Sequence, residues 1–104
     1  MAITRFTTPP ISLLVKDVDI TAADVYVTVK QGPNEINLED TDLTMQVSGS
    51  DTQITFSLTQ AQAGSLNINA FAEVQVNWIT GGIRYATEIV RVKIYDNLYD
   101  EVIS

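Results

Sequence analysis

Neither cysteine nor histidine occurs anywhere in the 104 residues of this chain. Those two absences remove disulfides, thiolate and imidazole nucleophiles, histidine general bases and nearly every structural zinc arrangement. Cations are scarce as well: 6 Lys and Arg stand against 13 Asp and Glu, a formal net charge of −7. Such a balance repels phosphate backbones and anionic headgroups, so neither nucleic acid nor a membrane surface is an expected partner. No apolar run approaches the ~20 residues of a membrane helix. The opening MAITRFTTPPISLLV is interrupted by Arg5, threonines and Pro9-Pro10, and it lacks the apolar core of a signal peptide. The expectation is one soluble domain of common size, made in the cytosol and not exported through a signal.

What is present is alternation. Apolar residues recur with a period of two at Ile11, Leu13 and Val15, at Val25, Val27 and Val29, at Ile36 and Leu38, at Leu43, Met45 and Val47, and at Ile54, Phe56 and Leu58. Each run has the pattern of a half-buried strand, and the branched side chains penalise a helix. The tetrads Gln31-Gly32-Pro33-Asn34 and Ser48-Gly49-Ser50-Asp51 have turn composition. Thr4 to Thr8 with Pro9-Pro10 reads as a short edge segment or lead-in. One short helix is expected, QAQAG capped by Thr59 and stopped by Gly64, as a crossover between sheets.

The longest feature is Phe71 to Ile94, FAEVQVNWITGGIRYATEIVRVKI, read as a hairpin about Gly81-Gly82. Adjacent glycines supply the positive φ angles of a two-residue turn. Pairing about that turn sets Trp78 opposite Tyr85 and Val74 opposite Ile89, with both pairs on the buried face. Parity changes between Ile89 and Val90, so a bulge or a strand changing sheets is expected there. About seven antiparallel strands at spacings near ten residues predict an all-β, immunoglobulin-like sandwich over residues 1–95, followed by a C-terminal tail, 96–104.

Carboxylates are the remaining source of chemistry. Glu39, Asp40 and Asp42, with Asp51 across a hairpin, have the ligand type calcium requires, but the glycine and terminal glutamate of a calcium loop are missing, and the run reads as a solvated turn. Asp17 and Asp19, two apart, resemble an acid/base pair in spacing only and read as loop residues accepting local amide bonds. No metal, no cofactor and no catalytic residue is expected. The tail is different: it places Leu98, Tyr99, Val102 and Ile103 among acids, beyond a finished sandwich. Such a segment either folds back on its own domain or adds to a neighbouring subunit.

Four stretches, VYVTVKQG (Val25 to Gly32), ITFSLTQ (Ile54 to Gln60), VQVNW (Val74 to Trp78) and ATEIVRVKI (Ala86 to Ile94), resemble the immunoglobulin-like domains of bacteriophage tail and baseplate proteins. That group includes the N-terminal domain of the baseplate upper protein and small prophage proteins of similar length. The resemblance spans most of the chain from Val25 onward. It implies a non-enzymatic virion structural protein, in the tail or baseplate or as a head decoration subunit, made in the bacterial host cytoplasm. Its partners would be other virion proteins and further copies of itself. The candidate contacts are the hairpin tip with Gly81 and Gly82, the edge strand near Ile11 to Val15, and Leu98, Tyr99, Val102 and Ile103 of the tail. The alternative is a module that recognises a host-surface glycan or protein through the loops at one end of the sandwich, with Tyr95 and Tyr99 extending the surface.

Overall fold

Valines at every second position make Asp24–Gln31 a strand whose inner face is apolar as far as Gln31, and this strand, β3, lies inside the larger of two sheets. A computed structural model describes residues 2–103. Among these, nine strands occur: β1 Ala2–Thr4, β2 Ile11–Val15, β3, β4 Asn34–Leu38, β5 Thr44–Ser48, β6 Asp51–Phe56, β7 Ala72–Thr80, β8 Ile83–Ala86 and β9 Val90–Tyr95. A 3-10 turn, Asp40–Asp42, follows β4, and a short helix, α1 Gln60–Gly64, follows β6. The larger sheet runs β1-β9-β7-β3-β4 with β8 also on β7; the smaller runs β2-β6-β5. Two stacked sheets of mainly antiparallel strands make a β-sandwich, so the all-β expectation holds.

The nine strands exceed the expected seven for two reasons. Ala2–Thr4, too short to show a period, pairs with Lys93–Tyr95, and it does so in parallel, the exception to antiparallel pairing among the described residues. The return arm of the long hairpin is also divided. Thr80 pairs with Ile83 and Trp78 with Tyr85, but farther along Val74 meets Val90 instead of Ile89. One extra residue has entered the arm between Ala86 and Val90, a bulge, and β9 stays in the same sheet. Both turn glycines have positive φ, 59° and 77°, as a two-residue primed turn requires.

The inner faces meet in one core. Val25, Val27, Val29, Val74, Val76, Val92 and Ile94 face Val15, Ile54 and Phe56, while Ile20, Leu58, Ala63 and Leu66 close the ends. Two buried polar side chains tie loops to this core. Thr52 Oγ1 accepts from the Ile20 N–H at 3.1 Å and donates to the Val18 carbonyl at 2.8 Å. Gln31 donates to the Asn67 and Ala70 carbonyls and accepts from the Asn67 N–H.

The helix forms as its cap predicts: Thr59 Oγ1 accepts from the Gln62 N–H and Gln62 Oε1 from the Thr59 N–H, a reciprocal capping box. Gly64 has a different role from the expected stop. It is the last helical residue, and the Phe6 ring occupies the space a Cβ would need.

Candidate interaction surface

Sheet width decides which apolar side chains stay uncovered. The larger sheet has six strands and the smaller three, and β8 with the start of β9 lies beyond the flank of the smaller sheet. Ile83, Tyr85 and Val90 share the inner face with Trp78 and Val92, yet all three are exposed. Tyr85 stacks on Trp78 with ring centroids 5.6 Å apart and 18° between planes. The expected burial of this pair therefore holds for Trp78, at 8% exposure, and not for Tyr85, at 43%. Tyr85 is the lid over a buried indole.

A groove of about 570 Å³ lies between the two sheets, with Trp78 in its lining. One lip is β2 with Lys16, the other is the bulge from Ala86 to Val90, and Val74, Val76 and Trp78 form the floor. Among the described residues strand β2 has a partner on one side alone, β6. Its other edge leaves backbone donors and acceptors free along Ile11–Val15.

Residues 96–103 form neither helix nor strand. Polar bonds hold them to the domain. Arg5 pairs with Asp96 at 3.4 Å, Asn97 Nδ2 donates to the Arg5 carbonyl at 3.1 Å, and the Gln60 side chain exchanges two bonds with the backbone of Ile103, at 2.7 and 2.9 Å. Their apolar side chains are not buried by this: Leu98, Tyr99, Val102 and Ile103 are all more than half exposed. Gly81 and Gly82 are exposed too, at the hairpin tip. Because β9 runs antiparallel to β7, the tip and the segment after β9 lie at opposite ends of the sheet. The candidate contact residues thus fall into two separate places.

Several carboxylates accept bonds from backbone amides. Asp40 Oδ1 accepts from the Val25 N–H, Asp42 Oδ2 from the Glu39 N–H, and Asp51 Oδ1 from the Asp17 N–H. Asp19 accepts from both the hydroxyl and the N–H of Thr21, at 2.6 and 3.0 Å, and the hydroxyl bond above all holds its carboxyl below the ordinary value of 3.8. No group of three acidic side chains is placed to hold a metal ion among the described residues.

Sequence patterning found β2, the hairpin and the tail but missed Tyr85 and Val90. Their alternation marks them as core; only the narrowness of the facing sheet exposes them. No protein-family model matches the chain, and no curated protein matches it.

Proposed function

We propose that this chain is a non-enzymatic structural subunit of a bacteriophage or prophage particle, in the tail or baseplate or as a head decoration protein, acting through contacts with other virion proteins and with its own copies. One observation carries the reading. Of the fifteen exposed large apolar side chains among the described residues, eight lie in two separated places: Ile83, Tyr85, Ile89 and Val90 on the flank of the long hairpin, and Leu98, Tyr99, Val102 and Ile103 beyond β9. Two distinct patches suit a subunit that contacts different neighbours through different surfaces. The resemblance of Val25 to Gly32, Ile54 to Gln60, Val74 to Trp78 and Ala86 to Ile94 to phage immunoglobulin-like domains supplies the setting. Mass spectrometry of purified particles from the host that encodes the chain is the test. Recovery at many copies per particle is the expected result; consistent absence from particles, with the chain abundant in the same lysate, would sink the proposal.

A further inference from the structure

Resting on the multi-copy reading above, we infer that residues 96–103 of one copy lie along β2 of the next copy as an added strand. The smaller sheet stops at β2, and opposite the vacant place beside it stand Ile83, Tyr85 and Val90, inner-face side chains with no sheet over them. A strand in that place would pair with the free backbone of Ile11–Val15 and cover the overhang. Edges elsewhere are blunted: β4 carries Glu35, β5 is polar at Thr44, Gln46 and Ser48, and β1 is three residues long. The ISLLV of β2 has no charge and no proline, which is an edge left open to pairing.

The occupant is argued from the chain itself. Extended, residues 96–103 present Leu98 and Val102 with Asp100 between them on one side, and Tyr99 and Ile103 with Glu101 between them on the other. One pair faces the groove lined by Trp78 and Val90, and the other lies beside Leu14, which is exposed on the outer face of β2. In its own copy the segment runs instead to Gln60 of α1, held by polar bonds that leave all four apolar side chains bare. The groove it fills is therefore that of a second copy. Eight residues against a five-residue edge make a contact smaller than the roughly 800 Å² per partner of a standard interface, which suits a weak, concentration-dependent association. The contact joins two different surfaces, so it propagates from copy to copy and closes only if the rotation allows a ring.

The test uses four proteins and one peptide. The full chain should associate with rising concentration in sedimentation velocity, and a chain shortened to Asn97 should be monomeric with the same circular dichroism and melting temperature. The peptide DNLYDEVIS should then bind the shortened chain at one to one and shift the emission of Trp78, the single tryptophan, to the blue. Leu14→Asp should weaken that binding about tenfold or more, whereas Thr44→Asp on the opposite edge should leave it unchanged. If the shortened chain still associates, or if peptide binds without moving Trp78 and without sensing Leu14→Asp, the assigned contact is wrong while assembly stands. If the full chain stays monomeric at millimolar concentration and the peptide does not bind, the contact and self-assembly fail together.

Discussion

Val76 and Thr87 hold each other twice. The Thr87 N–H donates to the Val76 carbonyl at 2.9 Å, and the Val76 N–H donates to Thr87 Oγ1 at 3.1 Å. The second bond replaces a ladder carbonyl that the bulge has displaced, so a side chain completes what the backbone no longer can. Thr87→Val keeps the shape and removes the acceptor, stranding a buried amide at a cost of about 1–3 kcal/mol. Urea denaturation gives the loss, and faster hydrogen exchange at Val76 locates it; Thr87→Ser should restore both.

Thr52 offers a second isosteric test at a different place. It is fully buried and is the partner of both the Ile20 N–H and the Val18 carbonyl, fastening the β2–β3 loop to β6. Thr52→Val should lower stability by about 2–4 kcal/mol, since two buried groups lose their partner together. A midpoint shift in urea with an unchanged slope is the expected signature. No change in midpoint would mean that water replaces the hydroxyl.

In a helix, alanine ordinarily exceeds glycine by about 1 kcal/mol. Gly64 should reverse that rule, because an added Cβ meets the Phe6 ring. Gly64→Ala is expected to destabilise by about 1–3 kcal/mol, as overfilled sites do. In a Phe6→Ala background the same substitution should cost little, and a double-mutant cycle with no coupling between the two positions would rule the contact out.

Asp19 gives a prediction in acid. Its carboxyl titrates below 3.8 because Thr21 donates to the ionised form, first through its hydroxyl and then through its N–H. A depressed carboxylate adds stability that is fully present above its ordinary range and is lost as pH falls through the folded value. Thr21→Val removes the larger cause and should raise the Asp19 titration midpoint, read from the side-chain carboxyl resonance by NMR. An unmoved midpoint would show that the hydroxyl does not set it.

Features whose cause is local were legible in the residues. The valines of β3, the Gly81-Gly82 turn and the Thr59 cap each depend on neighbours within a few positions, and each is found where the pattern puts it. Features set by distant partners were not. Ala2–Thr4 has no period of its own and becomes a strand because residues 93–95 lie beside it. Gly64 reads as a stop signal, and only the arrival of Phe6 from the other end of the chain gives it another purpose. The bulge was placed correctly, but the pairing beyond it was one residue out, since parity reveals that a residue has been inserted without saying which amide loses its partner. For the candidate surface the same division applies. The apolar content of residues 96–103 is written in sequence, whereas the exposure of Tyr85 follows from how many strands the opposite sheet happens to have.

The parallel union of β1 with β9 also determines how the molecule meets force. Ala2 lies beside Lys93 and Thr4 beside Tyr95, and the Arg5 N–H extends the ladder to the Tyr95 carbonyl. Tension applied at Ala2 and Tyr95 draws these two strands past one another along their length. Their bonds are then loaded together in shear and cannot open one after another like a zip, so the seam joining the two ends of the fold resists pulling as a unit.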